Sequence, residues 1–402
     1  MSSSAFANRH MLFCYDASYI LNSLHMTLIH YNLPIYIAPG ARTRLLDECL
    51  RLNIKKPMFV TDQGIVNAGV LQQVMDVLPS EQACHVFKDT PPNPTVQAVA
   101  LALTEFKAAR CDGLIAVGGG SSIDCAKGVA LMAHHGGALQ DYAKGGTRQI
   151  TADTLPLIAV PTTAGTGSEV SRGAVITTAE HRKIGVSSWH LLPKVALCDP
   201  ELVMGLSPFL TAATGMDALA HCIETYLSPL FNPAADGMAI EGLRRGWSSI
   251  ASATENGKDL GTRQNMMVAS VLGALSFQKG LACVHSISHS LGGMYPLLHH
   301  GTLNAILLPA VIRFNADAVT VTQQSKYARI REAMSLDPDA NISDAISQMN
   351  ARLKLPAGLA QMQVKASDFA AVIRGAFADS YHSTGPKTPN SADYERMLVE
   401  SM

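Results

Sequence analysis

The chain has 402 residues, with Lys+Arg 31 against Asp+Glu 32 and a formal net charge of -1. Such neutrality excludes the broad basic footprint that nucleic acid or an anionic membrane requires. At 48% hydrophobic and 16% charged it is a globular chain, long enough for about two or three domains, and no run approaches the roughly 18 apolar residues of a membrane helix.

The first 26 residues mix polar and apolar side chains and lack the basic start and apolar centre of a secretion signal. They read as an extension of unassigned role, and Met26 offers an alternative start. Leu33–Ala38 (LPIYIA) predicts a short edge strand, because it carries a proline. An amphipathic stretch runs from Thr43 to Leu52. Pro57–Thr61 reads as a buried strand ending at Asp62, and Val66–Leu78 as a helix. Cys84–Lys88 is the next strand, then the turn TPPNPT at Thr90–Thr95, then a helix over Val96–Ala109. Asp112–Val117 is a strand, followed by three glycines and a helix from about Ile123 to His134. Strands are also expected at Leu155–Val160, Ala174–Thr178 and Lys194–Asp199. This alternation implies a parallel sheet covered by helices. After Pro200 helix-length patterns continue to the C-terminus. The expected division is an α/β domain over 1–203 and an all-helical domain over 204–402.

Two loops follow strands and look suited to phosphate. VGGGSS (Val117–Ser122) lets backbone approach a ligand ahead of a helix N-terminus, although its spacing is not that of the dinucleotide fingerprint. PTTAGTGS (Pro161–Ser168) carries four hydroxyls and two glycines, so it can donate hydrogen bonds without adding charge. Either loop alone is as readily a turn; two in one parallel sheet point to a nucleotide.

The helical half holds Asp217 and His221, four apart, then His285 and His289 at the same spacing, then His299 and His300. Residues four apart share a helix face. One such pair is more often a surface pair than a metal site. One carboxylate with two or three imidazoles suits Fe²⁺, Zn²⁺, Mn²⁺ or Co²⁺ better than Ca²⁺ or Mg²⁺. The eight cysteines show no close pairing, which disfavours a structural zinc site and points to reduced thiols in the cytoplasm.

VGGGSSIDCAK, PTTAGTGSEV, CDPELVMGLSP, TGMDALAHCIETY, VHSISHSLGG and HHGTLNAILLP follow one another across Val117–Pro309. In this order they closely resemble the iron-containing (group III) alcohol dehydrogenases, and the likeness extends from about Leu33 to the end. The resemblance implies a dehydroquinate synthase-like architecture. This has a Rossmann-like α/β dinucleotide-binding domain followed by an all-α metal-binding domain. It implies hydride transfer between nicotinamide and a small primary alcohol or diol, or the matching aldehyde. By resemblance Asp217, His221, His285 and His300 hold the metal, Fe²⁺ first and Zn²⁺ second. His289 is an extra active-site histidine. The loop before HG is one residue longer than in many relatives, so ungapped counting would select His299; the continuing match GTLNAILLP favours His300.

Gly119, Gly120 and Ser121 resemble the diphosphate loop, and Thr162, Thr163 and Thr166 the residues along adenosine and nicotinamide. Lys183 matches a lysine reaching the cofactor ribose, and Asn93 lies where the PNPT turn approaches the cofactor. Asp62 would accept from the adenosine ribose hydroxyls and repel a 2′-phosphate, which favours NAD over NADP. The TGP at Thr384–Pro386 matches the family's asparagine–proline turn only loosely. Relatives form dimers or larger homo-oligomers. The competing readings are a glycerol-dehydrogenase-like or maleylacetate-reductase-like enzyme on this fold, and a non-catalytic NAD-binding protein. In the alcohol reading, the hydroxyl proton leaves through His289 or a ribose hydroxyl. Glu224, one turn beyond His221, would either orient a ligand imidazole or sit on the helix surface.

Overall fold

The computed structural model describes residues 28–402 apart from 32, 181 and 317–320. The expected extension 1–26, with Met26 and Cys14, lies outside the described residues. Eight strands are present among the described residues: β1 (Ile35–Ile37), β2 (Pro57–Val60), β3 (His85–Phe87), β4 (Gly113–Gly118), β5 (Leu157–Pro161), β6 (Gly173–Thr177), β7 (Lys183–Ser187) and β8 (Val195–Cys198). Six form one sheet in the order β1-β8-β5-β4-β2-β3, with every pairing parallel. β1 is at the edge, as the proline-bearing run predicts.

Successive strand residues enter opposite apolar layers. Met58, Val60, Leu114, Ala116, Leu157 and Ala159 join one core cluster. Phe59, Ile115, Val117, Ile158 and Val160 join another. This two-sided burial is why the central strands are almost continuously apolar. On β8, Ala196 and Cys198 join a third core formed largely by the helical half, which fastens the sheet to the helices.

Connections leave β2 towards β3 and β4 towards β5, on opposite sides. A crevice therefore opens at the carboxyl ends of the neighbouring β2 and β4, where such sheets bind nucleotides.

Three expectations differ from the structure. Val66–Leu78 is not one helix: Gly69, at φ 71°, separates Gln63–Asn67 from Val70–Met75. The helix after the glycine loop starts at Gly120, because Gly120, Ser121 and Ser122 form its first turn. The strand after the hydroxyl loop leaves the main sheet and pairs antiparallel with β7. β7 reads KIGVS, too short and too mixed to stand out in sequence.

Beyond Val203 every regular element among the described residues is helical. No single helix among them is long and apolar enough to cross a membrane. The cysteines at 49, 84, 111, 125, 198, 222 and 283 are free.

Candidate metal and nucleotide site

The two loops lie side by side because Gly118 of β4 registers with Pro161 of β5. A Cβ on Gly120 would stand 2.8 Å from Thr166 Oγ1, and one on Gly119 3.3 Å from Thr163 Cγ2. The glycines are required for loop against loop. Helix Gly120–Met132 has no side-chain cap, so its first N–H groups remain available to an anion. The Ser121 hydroxyl is turned away and donates to the Pro92 carbonyl; what Ser121 offers the crevice is backbone. Thr162 is buried with an unpartnered Oγ1.

Asp62 caps the helix after β2, with Oδ1 accepting from Ile65 N at 3.0 Å. Its Oδ2 stands 3.7 Å from where a Cβ on Gly118 would lie, so one carboxylate oxygen faces the glycine loop. Asn93 Nδ2 donates to Pro296 O at 2.6 Å, bridging the PNPT turn to the loop that precedes His300. Lys183 begins β7 and crosses to the helical half, its Nζ 2.9 Å from a Cβ position at Gly292. Burial pushes its ammonium down to about 8, partly offset by Asp124 and Asp217.

The hydroxyl loop is held from beneath by Lys127. Its buried Nζ lies within hydrogen-bond reach of four oxygens, Ser168 O at 2.7 Å, Ser168 Oγ at 3.0 Å, Ser171 O at 2.8 Å and Gly173 O at 2.6 Å, which share its three hydrogens.

Three helices build the second half of the site. Pro208–Leu227, capped by the Ser207 hydroxyl, carries Asp217 and His221. Cys283–Met294 carries His285 and His289, and His300–Ala316 starts at His300. One ligand atom from each of Asp217, His221 and His285 lies within 4.8 Å of the other two, and all three residues are buried. Asp217 Oδ1 is 3.5 Å from His221 Nε2, 3.6 Å from His285 Nε2 and 3.8 Å from His300 Nε2. His299 instead turns its ring to Phe209, at 6.1 Å, and keeps a buried, unpartnered Nδ1. His289 stacks on His300, with centroids 5.3 Å apart and planes at 17°, and bonds Asp379 rather than Asp217.

His285 is oriented from behind. His285 Nδ1 is 2.5 Å from Glu224 Oε2, while Glu224 Oε1 accepts from Val284 N at 2.8 Å. Glu224 is therefore a buried orienting residue, not a surface one. Burial opposes charge on His285, but Glu224 and Asp217 outweigh it and push its pKa up to about 9. Burial pushes His221 down to about 3, leaving a neutral imidazole. Burial would raise Asp217, yet the surrounding histidines hold it well below the usual carboxylate range.

Asn304, one turn beyond His300, was not singled out by sequence reading. Its Nδ2 is 2.6 Å from Asp217 Oδ1 and 3.1 Å from Nε2 of both His285 and His300. Its Oδ1 is buried without a partner. An amide nitrogen has two hydrogens and cannot serve all three atoms. Once His285 gives up its proton, one carboxylate oxygen and two imidazole nitrogens turn lone pairs into one buried pocket, a set that suits a transition-metal cation.

A glycine- and hydroxyl-rich crevice facing a buried Asp/His cluster across the sheet–helix boundary suits an enzyme that pairs a nucleotide with a transition metal. Residues 34–200 match the family described as iron-containing alcohol dehydrogenase, and residues 211–402 the C-terminal part of the Fe-containing alcohol dehydrogenase family. The chain belongs to the iron-containing alcohol dehydrogenase family. It is 55% identical to the 4-hydroxybutyrate dehydrogenase of Cupriavidus necator over 383 residues, 94% of this chain and 100% of that one. A crystal structure of 1,3-propanediol oxidoreductase has a TM-score of 0.87 at 33% identity, covering 94% of this chain and 100% of that chain. Sulfoacetaldehyde reductase from Bifidobacterium kashiwanohense, solved in complex with NAD+, has a TM-score of 0.84 at 26% identity, covering 94% and 99%. The chain is an alcohol oxidoreductase acting on small alcohols or aldehydes.

Proposed function

We propose that this enzyme interconverts a short ω-hydroxy acid of the 4-hydroxybutyrate type and its aldehyde, using NAD and one divalent ion, Fe²⁺ first and Zn²⁺ second. The observation that carries the metal chemistry is the convergence of Asp217, His221 and His285 in a buried pocket. His300 completes the set as fourth ligand, supported by its 3.8 Å approach to Asp217. The substrate class rests on the 55% identity to a 4-hydroxybutyrate dehydrogenase. An uncharged diol is the second reading, favoured by the likeness to 1,3-propanediol oxidoreductase.

When bound, the ion withdraws electron density from the alcohol or aldehyde oxygen, and the nicotinamide accepts or returns the hydride. The protein's part is placement. Gly119, Gly120 and Ser121 offer backbone N–H groups to the diphosphate. Thr162, Thr163 and Thr166 contact the adenosine and nicotinamide portions. Asn93 borders the cofactor from the PNPT turn, and Lys183 reaches the cofactor ribose. Asp62 accepts from the adenosine ribose, which selects NAD over NADP. His289 takes the hydroxyl proton. The nucleotide-binding part ends at 203 and the metal-binding part begins at 204, between the last strand, ending at Cys198, and the helix starting at Pro208. The enzyme is a cytoplasmic homodimer or larger homo-oligomer, with the open edge of β1 as the pairing edge.

The test is anaerobic NAD reduction with 4-hydroxybutyrate, 1,3-propanediol, 1-butanol and glycerol, after chelation and after return of Fe²⁺ or Zn²⁺. Metal-restored turnover, best on the hydroxy acid, supports the proposal. Preference for 1,3-propanediol selects the diol reading, and equal rates with and without metal overturn the metal role.

A further inference from the structure

Asp379 stands just past helix Phe369–Ala378, as its C-terminal cap, ninety positions from the histidine it meets. His289 Nδ1 is 2.9 Å from Asp379 Oδ2. The other carboxylate oxygen is not free to swing, because Asp379 Oδ1 accepts from Tyr381 N at 2.8 Å. An ionised carboxylate only accepts hydrogen bonds. It therefore keeps the imidazole proton on Nδ1 and leaves the lone pair on Nε2. Tyr381 closes a third side, its ring 6.0 Å from that of His289, and His300 stacks on the face. No group among the described residues bonds His289 Nε2.

We propose that Asp379 is the positioning residue that fixes His289 in the Nδ1–H tautomer, so that Nε2 is the atom receiving the substrate hydroxyl proton. This rests on the reading of His289 as the proton outlet. In the oxidation direction the O–H bond breaks and an Nε2–H bond forms. The O–H pair stays on oxygen and closes the carbonyl, while the carbinol C–H pair leaves as hydride to the nicotinamide. Alcohol and oxidised cofactor become aldehyde, reduced cofactor and one proton. A ribose hydroxyl is then not needed as the first acceptor.

Asp379→Asn keeps the shape but presents an NH₂ to Nδ1, which moves the ring proton to Nε2 and blocks acceptance. The expected result in the metal-loaded enzyme is a fall in kcat of about 100-fold with KM for the alcohol nearly unchanged. Asp379→Glu restores part of kcat, and Asp379→Ala, which lets water serve Nδ1, stays above Asp379→Asn. A second readout needs no turnover. In metal-free protein labelled with ¹⁵N-histidine, the signal assigned by its loss in His289→Gln reports Nδ1–H in the parent and Nε2–H in Asp379→Asn.

Wild-type kcat in Asp379→Asn, a parallel loss of kcat and substrate binding that Asp379→Glu does not rescue, or an Nε2–H signal in the parent would overturn the proposal. His289→Gln separates the two layers. If it retains full turnover, the proton-outlet reading itself falls. If it loses turnover while Asp379→Asn does not, only the role of Asp379 falls.

Discussion

His285 Nδ1 and Glu224 Oε2 lie 2.5 Å apart, with both side chains buried. The bond sets which ring nitrogen of His285 faces Asp217. A carboxylate behind a ligand imidazole fixes its tautomer and raises its basicity.

Glu224→Gln should therefore weaken metal binding by about 10–100-fold. Competition against a chelator measures it, with circular dichroism as the folding control. Unchanged affinity in a folded variant would show that the bond only packs the helices together.

Metal uptake should release a proton. With His285 pushed up to about 9 by Glu224 and Asp217 against its burial, the metal-free cluster is protonated near neutral pH. A ligand imidazole must give up that proton. Apparent affinity should rise by up to about tenfold per pH unit below 9 and level off above it. Chelator competition from neutral pH upward gives the curve, and a flat one contradicts a protonated His285.

Lys127→Met should destabilise the protein by about 3–5 kcal/mol, because Asp124 and the loop carbonyls lose a buried cation. NAD affinity should fall with it, since the same ammonium holds the hydroxyl loop at Ser168. Denaturant unfolding and NAD titration at low temperature read the two effects separately.

Glu169 is buried with an unpartnered Oε1, and burial pushes its pKa up to about 7. A raised folded-state pKa contributes stability that is complete below the unfolded value, 4.5. That contribution is lost as pH rises through about 7. From pH 5 to pH 8, Glu169→Gln should therefore gain on the parent by up to about 3 kcal/mol. Parallel unfolding curves at the two pH values would refute it.

Gly167→Ala should cost about 2–4 kcal/mol and loosen the nucleotide crevice. Gly167 sits at φ 62°, and a Cβ there would lie 2.0 Å from Ala274 Cβ on a packed helix. A melting temperature equal to the parent's would mean that helix Leu260–Leu275 yields to the loop.

The part of this molecule legible in its residues alone is the part that local periodicity encodes. Apolar runs marked the central strands, since both faces of each are buried. Four-residue spacing put Asp217 with His221 and His285 with His289 on shared helix faces, and glycines after a strand marked a close backbone approach. Tertiary structure decided the rest, because helix crossings and loop paths leave no local trace. It brought Asp379 to His289 and Glu224 to His285, and turned His300, not His299, towards Asp217. It set the Ser121 hydroxyl on Pro92 and the Asn93 amide on Pro296. It also broke the expected helix at Gly69 and drew β6 out of the sheet onto β7. A residue's type and spacing declare what it can bond; only the packed chain selects which of its two nitrogens or oxygens does so.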